Sequence, residues 1–136
     1  MQNAECRMQT MKIQERAFNF SCRVIRMHRA LARDRTARRL ADQLLDAGTS
    51  IAANLEEAEA AQSKPDFISK CSIAAKEARE SRYWLRLLTA CKLVDSKRLS
   101  PLVMEAGEIV AIVTTIVKKA GQTKSRGAAA TFNIQH

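Results

Sequence analysis

Four times along this chain, apolar residues recur at steps of three and four, and a short polar or helix-breaking stretch closes each run. The first set is Ile13, Ala17, Phe20, Val24, Met27 and Leu31, and the second is Leu40, Leu44, Ala47, Ile51, Leu55 and Ala58. Phe67, Ala74, Ala78, Ser81, Leu85 and Leu88 form the third, with Cys71 and Trp84 at its flanks. Leu102, Ala106, Ile109, Val113, Ile116 and Ala120 form the fourth. A period near 3.6 residues puts each set on one face of an α-helix, whereas a half-buried strand needs strict alternation. The spacing predicts helices over about residues 12–32, 37–61, 64–91 and 101–120. The connections between them are short enough that consecutive helices must run antiparallel, which predicts an all-α, up-down-up-down four-helix bundle. Residues 1–11 and 121–136 carry no period and are read as a flexible leader and a flexible C-terminal tail.

Punctuation supports these boundaries. Ser63 is placed to cap the third helix, with Pro65 in its first turn and Asp66 three residues after the cap, the S-x-x-D form of a capping box. Asp34 or Thr36 caps the second helix, Ser100-Pro101 opens the fourth, and Gly121 closes it. Gly48 falls inside the second helix, where glycine costs about 1 kcal/mol relative to alanine. Together with Ala41 and Ala52 it forms a track of small residues that lets another helix come close.

The chain offers little to a chemical reading. Cys6, Cys22, Cys71 and Cys91 have no C-x-x-C spacing and only His28 and His136 could join them, which argues against a zinc site and against a disulfide framework. A carboxylate-bridged metal bundle needs Glu-x-x-His pairs, but Ile25 and Asn133 stand three residues before the two histidines. The expectation is no catalytic residue, no metal, no cofactor and no enzyme. The thiols are read as reduced and mainly buried, the N-terminus shows no signal-peptide core, and no apolar run approaches the roughly 20 residues of a membrane span. A cytoplasmic protein without membrane contact is expected.

Charge is more informative. The net charge is +9, with a pI near 9.9, which favours an acidic partner, nucleic acid before acidic protein. On the first helix Lys12, Arg16, Arg23, Arg26 and Arg33 fall within a sector of roughly 100°. Lys76, Arg79, Arg82 and Arg86 form a second stripe on the third helix, with Glu77 and Glu80 beside them. Like charges gathered on one face repel unless something negative lies against them. These nine residues are the candidate phosphate ligands. Phe18, Phe20, Phe67 and Trp84 are read as core residues, which leaves few rings for stacking and favours duplex or structured RNA over single strands. Val103, Val110 and Val117 make a second apolar stripe on the fourth helix, while Phe18 and Ile25 sit off the first helix's main seam. A helix apolar on two sides must be buried on two sides, so these five are the candidate interface for a second copy. The alternative function is an adaptor whose basic faces dock an acidic protein without touching nucleic acid.

Several segments, taken in order, resemble the four-helix bundle family associated with 23S ribosomal RNA intervening sequences, which includes the accessory variability determinants of diversity-generating retroelements. The stretch from Met11 to Leu31 resembles that family's opening Arg, aromatic and aliphatic pattern. Gly48-Thr49-Ser50-Ile51-Ala52-Ala53-Asn54-Leu55, followed by Glu57-Ala58, resembles its most recognisable motif. Ser63 and Phe67, then Ile73 to Ala78 with Lys76 and Glu77, Glu80, and Tyr83-Trp84-Leu85-Arg86-Leu87-Leu88 resemble its third-helix signature. Relatives often carry a basic residue and a serine where this chain has Asp46-Ala47, a departure that weakens or moves any anion site there. The resemblance implies a basic bundle assembled as a ring, a homopentamer, with nucleic acid and a reverse transcriptase as the partners of retroelement members. The motif residues Ser50, Asn54, Glu57, Lys76, Glu77, Glu80, Tyr83 and Trp84 are expected to fix helix pairing or subunit contacts.

Overall fold

A computed structural model describes the backbone of residues 4–31 and 33–127, and the side chains of residues 12–31 and 33–122. Four helices follow in order: α1 (Ala4–Ala30), α2 (Arg35–Glu59), α3 (Lys64–Ala90) and α4 (Ser96–Gly127). Among the described residues α1 packs on α2 and α4, α3 packs on the same two helices, and the diagonal pairs stand apart. The result is the expected antiparallel four-helix bundle.

The predicted seams meet in the centre. Every residue named for the first, third and fourth seams is buried, and Cys71 joins them. Burying a Leu, Ile or Phe side chain contributes about 1.5–3 kcal/mol, so Phe20, Phe67, Leu44, Ile51, Leu85 and Ile109 anchor the fold. The second seam differs at one end: Leu40 is only half-buried, and Ala37 and Ala41 take the inward positions instead. Alanines there let α2 lie closer to its neighbours than a leucine would.

Gly48 marks a close approach between α1 and α2. A Cβ at that position would sit 3.2 and 3.3 Å from the two Val24 methyl groups, and Ser21 Oγ donates to the Gly48 carbonyl at 3.0 Å. Gln14 Nε2 donates to the Leu55 carbonyl at 3.0 Å further along the same pair. Gly48 therefore has the packing role expected of it.

Capping follows the sequence at α2 and α3 and departs from it at α4. Asp34, rather than Thr36, caps α2 by accepting from Ala37 N at 2.8 Å. Ser63 caps α3 by accepting from Asp66 N at 3.2 Å. The fourth helix begins at Ser96 instead of Pro101, because Asp95 Oδ1 accepts from Lys97 N at 3.1 Å and opens the helix a turn early. Pro101 thus lies inside α4, still near its exposed start, where water can satisfy the carbonyl it leaves unpaired. Gly121 does not end the helix, whose backbone continues to Gly127. Likewise α1 begins at Ala4, so the backbone of residues 4–11, read as leader, is helical. Residues 1–3 and 128–136 of the expected leader and tail lie outside the described residues.

The α3–α4 connection turns on one residue. Lys92 has φ of 56°, donates to the Thr89 carbonyl, and is followed by a Leu93 N–H that reaches back to Leu88. That pair of bonds is a Schellman ending with lysine where glycine is preferred.

Within Ser96–Gln122 an 18-residue stretch reaches a mean hydropathy of 1.6, so this helix is long and apolar enough to cross a membrane by length and composition, contrary to the sequence expectation. Its most apolar face is the buried seam of the bundle, and Glu105 and Glu108 interrupt the run.

Candidate functional site

The cations of α1 divide according to which neighbouring helix they face. Gln14, Ser21, Val24 and His28 face α2, and His28 Nε2 lies 2.6 Å from Asp42 Oδ1. Arg16, Arg23 and Arg26 lie on the α4 side.

Arg16 is engaged inside the chain. Its Nε donates to Glu105 Oε2 at 2.9 Å, and Nη2 donates to Glu105 Oε1 at 2.7 Å and to Glu108 Oε1 at 2.6 Å. These hydrogen bonds, led by that to Glu105, hold the guanidinium pKa above its ordinary value. The same contact holds the Glu105 carboxyl below the usual carboxylate range, against the opposing pull of burial. A residue read as a phosphate ligand is thus a clamp between α1 and α4. Sequence inspection missed this because the partners lie 89 and 92 positions away.

Further along the same edge, Arg23, Arg26 and Met27 of α1 face Arg98, Pro101 and Leu102 of α4 across a groove of about 260 Å³. Among the described residues no carboxylate forms an ion pair with these three arginines. Lys12 is exposed at the other end of the edge, and Arg33 is exposed just past α1. Arg98 was not among the predicted ligands, since it meets the α1 row only through the tertiary fold.

The α3 stripe lines a second groove. Arg79, Arg82, Tyr83 and Arg86 face Gly107 and Val110 across about 480 Å³, while Lys76 is exposed on the same helix. Val110 was read as an interface residue and the arginines as phosphate ligands, so one groove holds members of both sets. Val103 and Val117, a heptad on either side of Val110, are half-buried like it. Phe18 and Ile25 are 63% and 41% exposed. At about 100° per residue they point outward and towards the α2 side of α1. The five candidate interface residues therefore form two patches, one on the α1–α2 side of the bundle and one on the opposite α3–α4 side.

Aromatic burial follows expectation for Phe20 and Phe67, which are in the core, and Trp84 is half-buried. Phe18 is the exception, because its position falls about 100° off the buried seam. Tyr83 is 54% exposed and meets Trp84 edge-on, with ring centroids 5.0 Å apart.

The motif residues mostly make local contacts. Ser50 Oγ donates to the Asp46 carbonyl and Asn54 Nδ2 to the Ser50 carbonyl. Glu57 lies 3.8 Å from Lys70, joining α2 to α3, and Trp84 Nε1 donates to Glu80. Glu77 is half-buried, and burial, then the charge of Glu80, raise its pKa against the pull of Lys76. Cys71 is buried, Cys22 half-buried and Cys91 exposed, so the thiols are less uniformly buried than expected. Among the described residues no cluster of three His, Cys, Asp or Glu side chains is arranged to hold a metal.

Three comparisons with known proteins bear on this arrangement. The family described as 23S rRNA-intervening sequence protein matches residues 9–115. A crystal structure at 1.70 Å of a protein with unknown function from the S23 ribosomal protein family of Bacteroides thetaiotaomicron VPI-5482 superposes with a TM-score of 0.76. It is 33% identical in sequence, and the alignment covers 81% of this chain and 98% of that one. No curated protein matches the chain significantly.

Proposed function

The chain belongs to the 23S rRNA-intervening sequence protein family, and from its charge distribution we propose that it is a non-enzymatic, self-associating scaffold that binds nucleic acid through phosphates. The observation that carries this reading is the groove where Arg23 and Arg26 of α1 meet Arg98 of α4, none of the three forming an ion pair among the described residues. Guanidinium groups match phosphate oxygens in a planar fork, and contacts of that kind position a protein on a backbone without reading bases.

Apolar patches on opposite sides of the bundle support self-association of a particular kind. A two-fold dimer uses one patch twice, whereas two different patches that meet head to tail generate a closed ring when the rotation closes. Phe18 and Ile25 of one copy against Val103, Val110 and Val117 of the next would build such a ring, and five copies is the number the sequence resemblance implies. Such a contact would cover the Arg79–Arg86 groove and leave the α1–α4 edge open. A reverse transcriptase is the further partner of this reading, implied by the resemblance to retroelement proteins.

The test is fluorescence anisotropy with labelled duplex DNA and structured RNA at two salt concentrations, run beside light scattering. The expected result is binding that weakens steeply with salt, by a species several times the monomer mass. Val110→Lys should lower that mass, and an unchanged assembly would remove the α4 stripe from the interface. Absence of binding at low salt would overturn the nucleic-acid reading and leave the cations to an acidic protein partner.

A further inference from the structure

The bundle's topology brings both short α–α connections on the basic side of the molecule, α1–α2 and α3–α4, to the same end. Residues 23–42 and 82–98, which build that end, contain twelve Lys and Arg against Asp34, Asp42 and Asp95, a net charge of +9. The whole chain also carries +9, so the remainder is neutral, with eleven cations balanced by eleven carboxylates.

The kind of cation differs as well as the number. Ten of the twelve at this end are arginine, whereas seven of the eleven elsewhere are lysine. All of the twelve except Arg23 are exposed. Among the described residues, none of them forms an ion pair. Solubility needs no such separation, and like charges this dense oppose one another in the free protein. Arginine's planar fork, weakly hydrated, is suited to phosphate where lysine is only a point charge.

We propose that this end of the bundle is the docking surface for double-helical RNA, with Arg29, Arg35, Arg38, Arg39 and Arg98 supplying phosphate contacts. The proposal rests on the nucleic-acid reading above and assigns it a place and a substrate form. Cations come from all four helices, whose axes stand about 8–10 Å apart, so the charge is spread over a surface and not confined to a cleft. A cleft would track one strand, whereas a broad end can meet phosphates of two strands across a groove. Both connections are a few residues long, and among the described residues no helix or ribbon projects from this end to enter the major groove of B-form DNA. A-form RNA instead offers a wide, shallow minor groove and a backbone recognised by shape. Assembly through the sides of the bundle would cover Arg82 and Arg86 but leave Arg29, Arg35, Arg38, Arg39 and Arg98 free, so a ring would gather them on one rim.

The experiment compares two triple variants of the full chain with matched charge change. Arg35→Glu/Arg39→Glu/Arg98→Glu alters the arginine end, and Lys64→Glu/Lys70→Glu/Lys118→Glu alters the opposite end. Each is titrated against a blunt 20-bp RNA duplex over a salt series, with far-UV circular dichroism to confirm the fold. The first variant should bind at least about tenfold more weakly, and its log K against log salt should flatten by about three, one unit per lost phosphate contact. The second should stay within threefold of the parent. Equal losses in both would reduce the effect to net charge and overturn the proposal, as would an arginine-end variant that binds like the parent. The same triple changed to Gln tests the end without charge reversal should the Glu variant fail to fold. Tighter binding to the matching DNA duplex or single strand overturns the double-helical RNA assignment while leaving the broader nucleic-acid reading intact. A parent protein that binds none of the three overturns both.

Discussion

Replacing Gly48 with alanine tests whether the α1–α2 approach is as tight as the geometry states. In an exposed helix the change stabilises by about 1 kcal/mol, because alanine loses less backbone entropy on folding. Here the new Cβ would lie 3.2 and 3.3 Å from the Val24 methyl groups, closer than carbon atoms normally pack. Val24 is fully buried and β-branched, so it has one strongly preferred rotamer in a helix and no room to turn aside. The helices must move apart by a few tenths of an ångström, which strains the Ser21 bond to the Gly48 carbonyl. Overpacking of this sort costs about 1–3 kcal/mol. The difference predicts a net loss near 1 kcal/mol, or about 3–5 °C in the thermal midpoint of a domain this size. Val24→Ala removes the obstructing methyls and by itself costs about 2 kcal/mol. In that background Gly48→Ala should change sign and stabilise by about 1 kcal/mol, a coupling near 2 kcal/mol. Urea unfolding of the four proteins, followed by circular dichroism at one fixed protein concentration, closes the cycle. A stabilising Gly48→Ala in the parent, with no coupling to Val24, would refute the close-packing account.

Two further predictions concern single contacts. Because Arg16 holds the Glu105 pKa below its unfolded value, their contact contributes stability that is present above the ordinary carboxylate range and is lost as pH falls through the lowered folded pKa. Arg16→Gln should therefore cost about 1 kcal/mol at neutral pH, a modest figure because the pair is partly exposed, and should shrink the difference from the parent at acid pH; a pH-independent difference in urea midpoints would remove the ion pair as its cause. Lys92→Gly relieves a left-handed backbone at the α3 ending and should stabilise by about 1 kcal/mol, raising the thermal midpoint by a few degrees; a lowered midpoint would mean that the lysine side chain is needed there.

How much of this was legible beforehand can be judged from particular residues. The seams of α1, α3 and α4 were read correctly because the period of a helix and the burial of its apolar face are local properties, fixed by spacing along one segment. Ser63 and Asp34 were legible as caps for the same reason, since each bonds an N–H three residues ahead. Leu40 was misjudged because the alanines beside it are ambiguous until a neighbouring helix is placed against them. The start of α4 was misplaced because Pro101 is a strong local signal, yet one aspartate six residues earlier nucleates the helix first.

The sequence by itself determined four amphipathic helices, their antiparallel order and a basic excess of charge. Only the tertiary structure decided what the charges do. It paired Arg16 with Glu105 and Glu108, and it brought Arg98 from another helix beside Arg23 and Arg26. It also gathered two basic stretches, some 40 residues apart in the chain, at a single end of the bundle. The reason is that hydrophobic periodicity acts through near neighbours in sequence, whereas electrostatic fields add up over neighbours in space, and those neighbours exist only once the helices have packed.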